Sequence, residues 1–151
     1  MDNLKVKIGA NGIMPTWAHD TDVGMDLYAP IDFIVPRSVF MNKTTKEGMR
    51  VSQVVIGNYV LNTEVILGIP NGIGGFIKSK SGLNFGSGIV VEGVIDPGYT
   101  GMVKLKLYNL TGTPVEFHRG DKVAQIAFVP FVRPEIEIVE SFPKSERGTS
   151  G

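Results

Sequence analysis

Glycine and proline interrupt this chain so often that a long helix has little room to form: nineteen glycines and nine prolines are spread over 151 residues. Proline costs about 3 kcal/mol in a helix interior and glycine about 1 kcal/mol, so few windows of about ten residues could hold one. The intervals are short and rich in β-branched and aromatic residues: LKVKIGA, DFIVP, RVSQVVIGNYVLNTEVILGIP, GGFIKSK, GIVVEGVID, GMVKLKLYNL, TPVEFH, KVAQIAFVPFV and EIEIVESF. Several alternate. In VKLKLYNL, Val103, Leu105 and Leu107 oppose Lys104, Lys106 and Tyr108, the pattern of a half-buried strand. IEIVE does the same with glutamate outward. Many short strands without a helical period predict an all-β sandwich, barrel or jelly roll.

The composition excludes several function classes. The length is that of one domain, enough to bury about 68–70% of its unfolded surface. Hydrophobic residues are 42% and charged residues 20%, as in a soluble globular protein. Fifteen basic side chains balance fifteen acidic ones, so no global field recruits nucleic acid or anionic lipid, and any anion site must be local. There is no cysteine, hence no disulfide and no thiolate metal site. MDNLKVKIG lacks the apolar stretch of a signal peptide. The longest apolar run, VAQIAFVPFV, is too short and too broken by Gln125 and Pro130 to span a bilayer. The expected location is cytoplasmic, or intracellular in a host if the gene is viral or phage-borne.

Residues 1–143 read as one β domain. Within it, MNKTTKEGM (41–49) is polar, and Gly57-Asn58 sits between apolar runs as a hairpin turn would. Segment 40–62 is therefore expected to be an extra hairpin or loop. Residues 144–151 have no apolar anchor and are expected to form a mobile tail.

Four stretches could carry chemistry. HDTDVGMDLYAP (19–30) gathers Asp20, Asp22 and Asp26, with Gly24 to let the backbone bend. It reads either as a turn with solvated carboxylates or as the approach of one carboxylate to a hard cation; magnesium riding on phosphates needs only one or two. KSKSGLNFGSG (78–88) offers ammonium groups, hydroxyls and uncovered N–H groups that suit phosphate oxygens, without P-loop spacing. In EGVIDPGYTG (92–101), Pro97 and Gly98 fit the centre of a type II turn, so Asp96 reads first as a turn-opening cap and Tyr99 as a packing residue. HRGDKVAQIAFVP (118–130) places the amide of Gln125 in an apolar strand, where it needs a partner. His19 and His118 have no metal-ligand or triad spacing.

The order of these stretches is more specific than any one of them. DVGMDLYA (22–29), KSGL (80–83), GVIDPGYTG (93–101), RGDKVAQI (119–126) and a terminal SERGTSG (145–151) together resemble the ordered motifs of the trimeric deoxyuridine triphosphate nucleotidohydrolases (dUTPases) over essentially the whole chain. The resemblance implies a distorted jelly roll assembling as a homotrimer with active sites shared between subunits, and hydrolysis of dUTP to dUMP and pyrophosphate. It implies that Asp96 takes a proton from the water attacking the α-phosphorus. Asp26 would hold water on a Mg2+ ion bound to the triphosphate. Lys80, Ser81, Gly82 and Gln125 would take phosphate oxygens. Tyr99 would lie on the deoxyribose, and backbone groups of Val91, Gly93, Val94 and Ile95 would read the edge of uracil. Arg147 and Gly148 would come from the fifth motif.

The match departs in places. Lys80 stands where arginine is usual, keeping the charge but losing the planar two-pronged grip. Val23 replaces alanine, and 40–62 is longer than usual, so it is a candidate surface for a protein partner. The aromatic that follows Arg147 and Gly148 in the family is not found before Gly151; loss of that closing residue is expected to lower turnover more than it disturbs the fold. Two alternatives remain at this point. One is a dCTP deaminase-like relative, with Glu92 the only acidic candidate near the third motif. The other is a trimeric regulatory binding protein with weak or no dUTPase activity.

Overall fold

The alternating segments become antiparallel strands in the computed structural model, which describes residues 3–141. In chain order they are β1 (Lys5–Ile8), β2 (Gly24–Tyr28), β3 (Phe33–Val35), β4 (Val39–Thr44), β5 (Arg50–Val55), β6 (Gly57–Asn62) and β7 (Val65–Gly68). Then come β8 (Ile73–Lys78), a short helix α1 (Ser81–Ser87), β9 (Ile89–Val90), β10 (Gly93–Ile95), β11 (Lys104–Asn109), β12 (Val115–Phe117) and β13 (Lys122–Pro130). The sheets are β10-β8-β13-β2, β6-β11-β9, and the pairs β1-β7, β12-β3 and β4-β5. Together they make a distorted all-β jelly roll.

The core follows the alternation. Val103, Leu105 and Leu107 are buried while Lys104, Lys106 and Tyr108 face out. They meet Leu27, Val35, Leu67, Val123 and Ile126, all inaccessible to solvent. Each such aliphatic side chain stabilises the fold by about 1.5–3 kcal/mol relative to exposure. Asn109 ends the inward row of β11 as a fully buried amide. It donates to the carbonyls of Val35 and Thr113 and accepts from Thr111, so its burial is compensated.

Two expectations need correction. The turn of the extra hairpin is not Gly57-Asn58. It lies at Thr45–Met49, where the Thr45 N–H donates to the Met49 carbonyl and Gly48 takes φ +83°. Gly57 instead opens β6, which pairs with β11 along its whole length, so the protruding ribbon is 39–55 and the rest of 40–62 is core scaffold. Gly57 is required there by crowding: a Cβ would fall 1.8 Å from the carbonyl oxygen of Pro36. The ribbon leaves Phe40, Met49, Val51 and Val54 exposed.

The second correction concerns EIEIVESF. Through residue 141 it forms no strand, and Ile136 and Ile138 are more than nine-tenths exposed. An alternating sequence becomes a strand only where an edge accepts its hydrogen bonds, and among the described residues none reaches it. Segment 78–88 contains a short helix, closed by Gly88 at φ +62° with its N–H on the Asn84 carbonyl. The tail expectations for 144–151, including Arg147 and Gly148, lie outside the described residues.

Candidate active site

Asp26 sits in the middle of β2, buried to 2% exposure, on a face that also carries Gln125 directly opposite it on β13. A bulge in β13 between Lys122 and Ala124 changes what comes next. In regular register Val123 would oppose Tyr28 on this face; the bulge puts Lys122 there and turns Val123 into the core. As a result the Lys122 ammonium lies 2.6 Å from Asp26 Oδ2, while Lys80, just before α1, bonds to Oδ1.

Burial alone would raise the Asp26 carboxyl, but hydrogen bonds from Lys122 and Lys80, reinforced by their charges, bring it below its ordinary value of 3.8. The stabilisation from this cluster is therefore complete above about 3.8 and is lost as pH falls through the lower folded value. Lys122 is raised above 10.5 by its hydrogen bond to Asp26, so its share is lost as pH rises through that higher value. Asp26→Asn leaves two ammonium groups converging on a neutral amide. Both can swing toward water, so the expected destabilisation is about 1–3 kcal/mol, less than for a fully enclosed pair. Urea titrations of wild type and variant at pH 7 and pH 3 check this. The gap between the two proteins should narrow at pH 3.

Around this cluster, Gln125 donates its amide to the Ser79 carbonyl. Gly24 makes room for that side chain, since a Cβ there would fall 2.2 Å from Gln125 Oε1. Its role is space rather than the backbone bend suggested by its place among the aspartates. Ser79 Oγ bonds both to the N–H and to the carbonyl of Val91, tying the approach to α1 to the β9–β10 link. The N–H groups of Ser81, Gly82 and Leu83 precede the first intrahelical bond, which runs from Asn84 to Lys80. Outside its chain neighbours and its own helix, no atom lies within 4 Å of where a Gly82 Cβ would be, so that side of its backbone is open. Ser81, Val91 and Gln125 line a cavity of about 310 Å³.

Asp96 belongs to a second place. The turn 96–99 closes through the backbone, with the Tyr99 N–H on the Asp96 carbonyl and Gly98 at φ +83° behind Pro97. The carboxylates of Asp22 and Asp121 do cap their turns, accepting from the N–H groups of His19 and His118. That of Asp96 accepts nothing among the described residues and is exposed. The cap reading therefore fails for its side chain. Tyr99 folds back over Gly101, its hydroxyl donating to the Met102 carbonyl. Val94, Ile95, Asp96, Tyr99 and Lys104 line a cavity of about 230 Å³.

β10 is an edge strand, so the N–H and C=O groups of Gly93–Ile95 that point away from β8 have no ladder partner. The N–H of Val91, by contrast, is already taken by Ser79. Glu92 is bonded to Lys78. Thus Lys80 and Lys122 meet on Asp26 with Gln125 opposite it in the sheet, Ser81, Val91 and Gln125 line one cavity, and the Asp96 hairpin with Lys104 lines another. Lys122 and Lys104 were not singled out from sequence. The position of Lys122 in RGDKVAQ gave no sign of the bulge that recruits it.

A family model described as dUTPase matches residues 10–151. The chain belongs to the dUTPase family. Among curated relatives, the deoxyuridine 5'-triphosphate nucleotidohydrolase of Candida glabrata is 33% identical over 151 residues, covering 98% of this chain and 92% of the relative. That of Wolbachia pipientis subsp. Culex pipiens is 36% identical over 143 residues, covering 89% and 82%. The dUTPase of Staphylococcus bacteriophage 80alpha, solved with dUPNHPP, superposes with a TM-score of 0.80 at 24% identity, covering all of this chain and 96% of that one. A mutant dUTPase from phage phi11 of S. aureus, described with a structural Mg(II) ion, gives 0.75 at 24% identity, covering 95% of this chain and all of that one. These two likenesses speak to the dUTPase fold. No helix among the described residues is long and apolar enough to cross a membrane.

Proposed function

We propose that this dUTPase-family chain hydrolyses dUTP to dUMP and pyrophosphate, with Asp96 as the base that takes a proton from the attacking water. The observation that carries this reading is a carboxylate left unbonded at the tip of a rigid turn, beside a nucleoside-sized cavity. A base must stand within one hydrogen bond of the water it activates, and a backbone-closed Pro-Gly turn holds it there without using the side chain. Tyr99 supports the sugar, and the open edge of β10 offers donors and acceptors to the pyrimidine edge.

The Asp26 cluster is the phosphate end. Lys80, Ser81, the Gly82 backbone and Gln125 present donors to anionic oxygens. The donor set fits magnesium only in one manner. Among the described residues no three acidic or histidine side chains gather, so the ion would arrive on the triphosphate and take one protein carboxylate, Asp26, through water. When bound, it would neutralise charge on the phosphate chain. Lys80 must then exchange Asp26 for a phosphate oxygen, leaving Lys122 on the carboxylate.

Two features support assembly into a trimer with shared sites. Ser81 and Gln125 line one cavity and the Asp96 hairpin another, as expected if one subunit's hairpin completes a neighbour's cluster. The bare Glu–Ile segment beyond β13 has the alternation of a strand and lacks an edge to join. A closed ring of identical subunits supplies both.

Pyrophosphate release from dUTP, dCTP and dTTP tests the substrate. Cytosine exchanges a donor and an acceptor at the edge that β10 would read, leaving buried groups unpaired. kcat/KM for dUTP should exceed that for dCTP by about 10³–10⁴-fold. Equal turnover of the three, or ammonia release from dCTP, would overturn the assignment. The deaminase alternative is disfavoured because Glu92 is bonded to Lys78.

A further inference from the structure

Lys104 opens β11, where the chain returns from the Asp96 turn. It shares the 230 Å³ cavity with Val94, Ile95, Asp96 and Tyr99. The other lysines near the two cavities have spent their charge: Lys78 on Glu92, Lys80 and Lys122 on Asp26. Lys106, next along the outward row of β11, lies over the ring of Tyr108 at 5.1 Å. Among the described residues Lys104 has no ion pair and no hydrogen bond through its ammonium group. An uncommitted cation and an uncommitted carboxylate therefore border one small cavity whose other walls are apolar or aromatic.

We propose that Lys104 is a substrate-binding residue whose ammonium group takes an oxygen of the phosphate nearest the sugar. The inference rests on the dUTP reading above and extends it to a side chain outside the phosphate cluster. The cavity suits a single pyrimidine nucleoside rather than a whole triphosphate. Uracil and deoxyribose are neutral at pH 7, so the first phosphate is the only anionic group such a ligand offers to a cation. Asp96 gives that cation a role. A carboxylate repels a phosphate brought within one water of it, and an ammonium beside both offsets the repulsion where the attack occurs. The rival account is a solvated lysine on an outward strand face, and that account gives it no ligand.

The test compares dUMP with deoxyuridine, which differ only by that phosphate. Dissociation constants are measured by NMR titration without magnesium, for wild type, Lys104→Met and Lys104→Arg, and wild-type turnover of dUTP is measured in parallel. Methionine keeps the length of the stem and removes the charge. The expected result is about a tenfold loss of dUMP affinity in Lys104→Met, with deoxyuridine binding within about twofold of wild type. Lys104→Arg should keep dUMP affinity within about threefold. An equal loss for both ligands would put Lys104 on the base or sugar, and no loss for either would put it in solvent; each overturns the proposal. A wild type that neither binds dUMP nor hydrolyses dUTP would instead bring down the underlying substrate reading.

Discussion

Asp96→Asn is expected to lower kcat for dUTP by about 10³-fold, with affinity for a non-hydrolysable triphosphate analogue within about threefold of wild type. Asparagine keeps the size and most of the polarity of the side chain but cannot accept the proton. The fold should not contribute to the loss. The turn is closed by the Asp96 carbonyl and shaped by Pro97 and Gly98, and the carboxylate has no partner among the described residues. Removing it leaves no buried group unsatisfied. Single-turnover pyrophosphate release, measured beside binding of the analogue, separates chemistry from recognition. A variant with wild-type turnover would return Asp96 to the status of a turn residue. A variant that lost binding and turnover together would mean that the carboxylate positions the nucleotide rather than activating water.

Two inactive variants regain activity when co-expressed, if the site is shared. One carries Asp96→Asn; the other carries Lys80→Met with Gln125→Ala, which removes two donors facing the phosphate-type cavity and its surroundings. Each variant alone should show only residual turnover. In randomly mixed trimers, a site that draws its hairpin from one subunit and its phosphate cluster from another receives two sound halves in about a quarter of cases. Turnover near a quarter of wild type is therefore expected. Separately purified proteins combined without exchange of subunits serve as the control. If both halves came from the same chain, every site would hold one damaged half and mixing would restore nothing. Lys80→Met leaves Asp26 bonded to Lys122, so neither variant should lose its fold.

Much of the architecture was legible because a strand's side chains alternate strictly. Val103, Leu105 and Leu107 announced the inward face of β11, and Pro97-Gly98 announced a type II turn; both hold. The same local rules misjudged segments whose state depends on a distant partner. Gly57-Asn58 has the composition of a turn, yet Gly57 serves a close approach to Pro36, 21 residues earlier in the chain. The EIEIVESF alternation is as regular as that of β11, but up to Ser141 no neighbouring strand accepts its hydrogen bonds.

The candidate site divides along the same line. The order of motifs named Asp26, Lys80, Asp96, Tyr99 and Gln125, since residue types and spacing are written along the chain. What each is bonded to is a matter of register, and one inserted residue in β13 brought Lys122 instead of Val123 to Asp26. Sequence alone determined an all-β domain, its family and the chemically able residues. Only the tertiary structure decided that Asp26 is held by two lysines, that the Asp96 carboxylate has no partner among the described residues, and that Gln125 and Asp96 line different cavities. The reason is physical: alternation and turn preference act between near neighbours, whereas ion pairs and cavities arise where strands distant in sequence are brought into contact.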